Sequence, residues 1–518
     1  MKNMKKRTVC FIALSAIFYF FNGGRLQAQS NPARIKIDIE REIGEIDTML
    51  YGNFVEHLGR CTYGGIFEPG SALSDENGFR KDVMAFVREL NVPVVRWPGG
   101  NFVSGYHWED GIGPKAQRPV RIDLAWGARE NNTFGTDEFI TWCRKAGTQP
   151  FICVNMGAGT MDEARNWVEY CNVKSGTYYS DLRIKNGYPE PHKVKYWGLG
   201  NEMDGSWQIG HKSAEDYGKF ALEAAKMMKW IDRDIKLIAA GSSNYGETGA
   251  DWTHWNRTIL SYLKDHADYI SLHHYTGMRN NNNYEFMAST DFTENLIKVT
   301  EGIIRETMTK TRRTTPIYIA FDEYNVWYRA YAAEMYEEKY TLEDALVIAG
   351  YLNVFVRNAH IVKMANMAQL VNILAPIITT PESSWRQTIF YPLALFANNC
   401  FGKSLQTFVD SPTYPLNGKD IPYLDVSSAY NKEKNLIILN VVNRHKDNAI
   451  ATDVICQSGV FNGALTIYEV NGKDIKDVNS ADRQLVKTEK KELKAKGEKI
   501  SYSFPAHSFT MITIPVGE

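Results

Sequence analysis

The chain has 518 residues, 44% of them hydrophobic and 23% charged, with a formal net charge of −1. Such a composition belongs to a folded globular protein and excludes a disordered chain or a membrane-embedded body, while the length leaves room for a large barrel beside a second domain. The near-neutral balance also excludes a basic nucleic-acid binder.

The first element is a leader. Lys2, Lys5, Lys6 and Arg7 precede an apolar run from Thr8 to Phe21, and small and polar residues follow, with Leu26 and Ala28 placed as at a loose cleavage site. The run is shorter than the roughly 20 residues of a spanning helix. Residues 1–28 are therefore expected to be a signal peptide, the protein to be secreted or periplasmic, and no membrane span to remain after removal. The segment holds five basic and no acidic residues, so the mature chain would carry −6, which suits a neutral substrate. Beyond it lie Cys61, Cys143, Cys153, Cys171, Cys400 and Cys456, with no CxxC pair or zinc spacing, and most are expected to be buried thiols.

Residues 29–47 contain Ile35, Ile37 and Ile39 alternating with Lys36 and Asp38, a strand pattern expected to join a sheet made by the far end of the chain. From 48 to 384 short apolar strands alternate with helical periods. The strand candidates are Met49–Glu56, Val92–Trp97, Pro150–Asn155, Val194–Gly200, Lys236–Ala240, Tyr269–His273, Ile317–Asp322 and Lys363–Leu370. Helices are expected over Phe79–Leu90, from a Ser213 cap through Ile231, and over Trp252–Leu263, Asn295–Thr307 and Leu342–Asn358. This order predicts an α/β fold, a (β/α)8 TIM barrel. Residues 385–518 lose the helical period. Strands at Tyr423–Ser428, Asn435–Val442, Ala451–Val454, Leu465–Val470 and Ser501–Pro515 predict an all-β, jelly-roll-like sandwich, with Lys487–Lys499 as a solvated loop or edge.

Barrels of this kind carry their chemistry where the strands end. Strand one runs out in Glu56-His57, strand two in Arg96-Trp97-Pro98-Gly99-Gly100-Asn101 and strand four in Gly200-Asn201-Glu202. Strand six ends in His273-His274-Tyr275, strand seven in Asp322-Glu323-Tyr324-Asn325, and strand eight carries Gln369. Polar groups from six strands converge on one rim. Glu202 and Glu323 each follow an apolar strand, and glycoside cleavage needs such a pair: one carboxylic acid to protonate the leaving oxygen and one carboxylate to attack the anomeric carbon. Asn201 is placed to bond a sugar hydroxyl, and Arg96 to keep the nucleophile ionised.

The motifs Tyr51-Gly52-Asn53-Phe54-Val55-Glu56-His57, Arg96-Trp97-Pro98-Gly99-Gly100-Asn101-Phe102, Gly198-Leu199-Gly200-Asn201-Glu202-Met203-Asp204-Gly205 and Phe321-Asp322-Glu323-Tyr324-Asn325-Val326-Trp327, together with Ala368-Gln369-Leu370, resemble glycoside hydrolase family 51, the α-L-arabinofuranosidases. The resemblance spans nearly the whole chain from about residue 33. It implies a retaining, exo-acting enzyme that releases arabinofuranose from arabinan or arabinoxylan, with Glu202 as acid/base and Glu323 as nucleophile. It further implies that Glu56, Asn101, Asn201 and Gln369 hold the sugar hydroxyls, that Tyr275 lies beside the nucleophile with His273 and Arg96 in support, and that Trp126 and Trp327 wall the pocket. The implied reaction needs no metal or cofactor, the implied partner is an arabinose-containing oligosaccharide or polysaccharide, and the family's members often form hexamers. Tyr324 and Trp97 depart from the family pattern, where Trp and Tyr are expected. Outside the family, an endo-glucanase or β-xylosidase uses the same two strands. A non-catalytic carbohydrate-binding protein would use the barrel as a scaffold, and a sugar isomerase would need a metal.

Overall fold

Eight parallel strands close into a barrel: Gly52–Phe54, Val94–Trp97, Gln149–Val154, Tyr196–Leu199, Lys236–Ala239, Tyr269–Thr276, Tyr318–Val326 and Val362–Ala368. Each lies where the apolar runs predict a strand, within a few residues. The computed structural model describes residues 32–245, 251–278, 280–328 and 336–517, so the expected leader falls outside the described residues. Among these, no helix is long and apolar enough to cross a membrane.

Alternation along the strands decides what the barrel encloses. Val94, Phe151, Tyr196, Ile238, Tyr269, Ala320 and Met364, one from each of seven strands, join Met49 in a separate buried cluster. This layer plugs the barrel, so everything above it stands on a packed floor. Two residues further along, Arg96 on strand two and Ser271 on strand six share the inward face, and His273 follows after two more. Strand seven breaks the alternation. Its register slips against strand six between Ala320 and Glu323, and against strand eight between Phe321 and Tyr324. Such a bulge brings adjacent side chains to one face: Asp322 and Glu323 both reach Arg96, while Tyr324 packs outward on Tyr351 and Phe355.

The helices cover the barrel. Ser213 caps Ala214–Ile231 by accepting the Asp216 N–H, and Trp252–Leu263 runs as the periodicity predicts. Helices Thr136–Ala146, Met161–Asn172 and Phe390–Asn399 were not anticipated. The first begins at Gly135, which offers no side-chain cap, and the last is apolar almost all round, so neither shows a clear amphipathic start.

Beyond Phe390–Asn399 the chain builds one antiparallel-rich sheet of nine strands rather than two separate sheets. Ala33–Ile46 lies inside it, antiparallel to Gly402–Asp410 and parallel to Ile450–Cys456. The sheet curls over its own inner face: Leu465 and Ile512 from one half share a core with Ile35, Val454 and Phe504 from the other. The expected strand Ser501–Pro515 is two strands, Lys499–Phe504 and Ser508–Gly517, interrupted at Pro505. Lys487–Gly497 is an edge strand, and its run of lysines suits an exposed edge. The outer face packs on barrel helices. Phe509 stacks on Phe396 at 5.3 Å, and buried Asp425 accepts from both Arg357 and Arg444 at 2.5 Å. One hairpin, Thr413–Leu416 with Lys419–Pro422, leaves the sheet and reaches the barrel mouth, where the Tyr414 hydroxyl donates to the Tyr284 carbonyl at 3.0 Å. All six cysteines of the described region are buried and unpaired.

Candidate active site

A cavity of about 1120 Å³ opens at the carboxyl ends of the strands, bordered by Glu56, Asn101, Glu202, His273, Tyr275 and Glu323 among others. Glu202 and Glu323 face each other inside it. One oxygen of each, with one His273 nitrogen, all lie within 4.8 Å of one another.

The first strand delivers Glu56, which is buried. Its Oε1 accepts the Phe102 backbone N–H at 3.0 Å and the Trp126 indole N–H at 3.1 Å, and its Oε2 accepts from Gln369 Nε2 at 3.0 Å. Gly100 has to be glycine for this approach, since a Cβ there would come within 2.5 Å of Glu56 Oε2. Burial, reinforced by the charge of Glu323, raises the Glu56 carboxyl to about 8 against these donors.

Strand two delivers Arg96. Its guanidinium donates to Glu323 Oε2 at 2.7 Å and to Asn201 Oδ1 at 2.5 Å, and lies 3.5 Å from Asp322 Oδ2. Asn201 passes the order on, its Nδ2 facing Gln208 Oε1 at 3.4 Å. Arg96 and Asn201 do not border the cavity themselves. Past strand four Glu202 takes the left-handed region at φ 45°, a conformation that a side chain with a Cβ holds only when its surroundings impose it.

His273 links the two glutamates. Its Nδ1 is 2.9 Å from Glu202 Oε1 and 3.5 Å from Glu323 Oε2, and its Nε2 is 3.3 Å from Asp322 Oδ1. Burial alone would lower its proton affinity. Glu323, Asp322 and Glu202 reverse this and raise it to about 10, which favours the imidazolium form. Asp322 is held below the usual carboxylate range: burial opposes this, and Arg96 and His273 overcome it. The Tyr275 hydroxyl donates to Glu323 Oε1 at 2.8 Å. Trp327 borders the cavity with its ring edge-on to Tyr275 at 5.5 Å.

All eleven residues singled out from the sequence thus meet at one place. Trp97 and Tyr324, the two departures from the family pattern, do not border the cavity; Trp97 stacks on Phe139 at 4.9 Å and donates to His57 Nε2. His57 in turn bonds Glu130 at 2.8 Å behind the site, while His274, which borders the cavity, bonds Thr293. Two participants escaped the sequence reading. Asp322 ties Arg96 to His273, and only the bulge turns it inward. Trp207 donates its indole N–H to Glu202 Oε2 at 2.6 Å; its position five residues after Glu202 was the available signal. The tip of the hairpin, Leu416 and Asn417, also borders the cavity, a contribution from nearly 50 residues beyond the last barrel strand, Val362–Ala368, that no local pattern announces.

Comparison with known proteins gives a consistent answer. The family model described as "Alpha-L-arabinofuranosidase 1 domain" matches residues 86–294, and that described as "Alpha-L-arabinofuranosidase C-terminal domain" matches 322–508. The intracellular exo-α-(1→5)-L-arabinofuranosidase of Halalkalibacterium halodurans is 44% identical over 83% of this chain and 88% of its own. Intracellular exo-α-(1→5)-L-arabinofuranosidase 1 of Bacillus subtilis is 42% identical over 88% and 93%. Among solved structures, a family 51 α-L-arabinofuranosidase from Bifidobacterium longum superposes with a TM-score of 0.88 at 33% identity, covering 94% of this chain and 100% of that one. The expected export is corrected by these relatives: both are named intracellular, which contradicts the secreted or periplasmic assignment. That expectation rested on a basic start and a short apolar run alone, a compositional pattern with no fold behind it. The chain belongs to the α-L-arabinofuranosidases of glycoside hydrolase family 51.

Proposed function

We propose that the protein is a retaining, exo-acting α-L-arabinofuranosidase in which Glu202 is the acid/base and Glu323 the nucleophile, acting on arabinose-containing oligosaccharides or polysaccharides. The observation that carries this is the separation of the two carboxylates, whose oxygens lie within 4.8 Å. Retention needs carboxyl groups about 5–5.5 Å apart, whereas inversion leaves about 6.5–9.5 Å for a water.

Charge favours the same division of labour. Arg96 and His273 supply two positive charges and Asp322 and Glu323 two negative ones, so the buried cluster is neutral while Glu202 holds a proton. Attack by Glu323 turns it into a neutral ester as Glu202 passes its proton to the leaving oxygen. The cluster is then neutral again, with the negative charge moved to Glu202. In the second step Glu202 takes a proton from water as the ester is cleaved and the first state returns. No net charge is created in a low-dielectric site at either stage. Glu56, Asn101 and Gln369 are assigned to the sugar hydroxyls and Trp126 and Trp327 to the walls, while Asn201, behind the cavity surface, is assigned to ordering Arg96. The paired carboxylates weigh against a non-catalytic carbohydrate-binding protein.

Product stereochemistry followed by NMR on a nitrophenyl α-L-arabinofuranoside tests the mechanism: first release of the inverted anomer would end it. Glu323→Ala should abolish turnover. Glu202→Ala should damage substrates with poor leaving groups far more than activated ones, since only the former need protonation; equal losses would reassign the acid.

A further inference from the structure

Glu202 has a donor on each oxygen. His273 holds Oε1 at 2.9 Å, deep between the two glutamates, and Trp207 holds Oε2 at 2.6 Å on the cavity side. The two contacts differ in kind. His273 is buried and fixed by Asp322, whereas Trp207 is 41% exposed. The indole is a donor only, so the contact closes best on an oxygen that carries no proton. Yet an acid/base must carry a proton on the oxygen that faces the leaving group, and Oε1 is committed to His273. The backbone on either side of the indole is anchored. Gly205 N–H bonds the Glu202 carbonyl at 2.9 Å, and the Gln208 side chain donates to Ser104 Oγ at 2.5 Å. The ring lies flat over Gly205, where a Cβ would come within 2.4 Å of it. Rotation of the side chain alone therefore suffices to open the contact.

We propose that Trp207 is a positioning residue for the acid/base: its indole N–H holds Glu202 Oε2 in the carboxylate form and swings off when that oxygen is protonated and a leaving-group sugar occupies the cavity. This rests on the assignment of Glu202 as acid/base. In the first step the Oε2 proton passes to the glycosidic oxygen as its bond to the anomeric carbon breaks and the Glu323 bond forms. The indole then closes on the carboxylate of the glycosyl-enzyme. Water next attacks the anomeric carbon, the ester bond to Glu323 breaks, and the water proton returns to Oε2. The other groups facing Glu202 are Asp204 on its own loop, Tyr245 past strand five, His273 and Tyr275 on strand six and Glu323 on strand seven, with Arg96 behind Glu323.

The test is the pH profile of kcat/KM on an arabino-oligosaccharide, which needs leaving-group protonation. Trp207→Phe keeps a ring but removes the donor, so the protonated form of Glu202 gains and the alkaline limb should move up by about one pH unit. Gly205→Ala leaves the indole intact but pushes it off Oε2, and should move the limb the same way; either variant that folds reads the outcome. A merely structural role would lower activity at every pH and leave the limb in place, and that result overturns the proposal. Glu202→Ala run in parallel on activated and unactivated glycosides separates the two failures. If it discriminates between them and the limb still stands, only the role of Trp207 falls; if it does not discriminate, the assignment of Glu202 falls with it.

Discussion

Replacing Arg96 with methionine removes the cation on which the nucleophile depends while keeping most of the side chain's volume. The guanidinium is 1% exposed, meets Glu323 at 2.7 Å and Asp322 at 3.5 Å, and lies 4.6 Å from the centre of the Phe54 ring. At such separations a unit pair interacts by about 5 kcal/mol for an effective dielectric near 20. Deleting one member of a buried pair leaves the other charge unmatched and costs about 3–5 kcal/mol of stability. Arg96→Met should therefore unfold about 3–5 kcal/mol more easily in urea. The carboxylate that has lost its partner will take up a proton at higher pH than before. On an activated aryl arabinofuranoside kcat/KM should fall roughly 10- to 1000-fold near neutrality, with the deficit narrowing as pH rises and the carboxylate ionises. Arg96→Lys restores a charge but cannot span Glu323, Asp322 and Asn201 together, so it should fall between the two. A methionine variant within about 1 kcal/mol of the parent, with a deficit flat across pH, would refute the reasoning.

Glu56 sits at about 8 in the folded protein against an ordinary 4.5. Its contribution to stability is complete below about pH 4.5 and is lost as the pH rises through about 8. Glu56→Gln should flatten that decline, by an amount on the order of 5 kcal/mol at most; melting curves of the two proteins that stay parallel between pH 5 and about 9 would contradict this. Tyr275→Phe removes the hydroxyl that donates to Glu323 Oε1 at 2.8 Å and should lower kcat/KM about 10- to 100-fold through the loss of one hydrogen bond to a charged group. An unchanged value would show that the contact does not survive in the complex with substrate. Asp425→Ala strands two guanidinium groups, Arg357 and Arg444, beneath the nine-stranded sheet. It should destabilise the fold by about 3–5 kcal/mol with kcat of the folded fraction unchanged; a loss below about 1 kcal/mol would show that the cluster is solvated.

Much of the barrel was legible because its strands are short apolar runs closed by charged or turn-forming residues, and each run coincides with one strand. The rim was legible for the same reason: the polar residues that end six strands are the ones that meet. What sequence could not convey is direction. Plain alternation would send one of Asp322 and Glu323 outward, and only a slip in register turns both inward. Trp207 lies in a loop without periodicity, so nothing local says that its indole folds back onto Glu202. In the last third of the chain the strands were visible but their order was not, because neighbours such as Ala33–Ile46 and Gly402–Asp410 are joined by backbone pairing over hundreds of residues. Proline's missing N–H marks the break at Pro505, but the apolar alternation on either side of it reads as one continuous strand.

The placement of Ala33–Ile46 has a consequence for biosynthesis. Its two partner strands end at Asp410 and Cys456, the latter 410 residues beyond Ile46. At translation speeds of about 5–20 residues per second, this strand waits about 20–80 s for its slot to be completed. Until Asp410 is made its Ile35 and Ile37 flank has no native mate, whereas the barrel receives its eighth and last strand, ending at Ala368, before either partner strand exists. Maturation of the nascent polypeptide is thus set to run from the middle outward, with the two ends joining last.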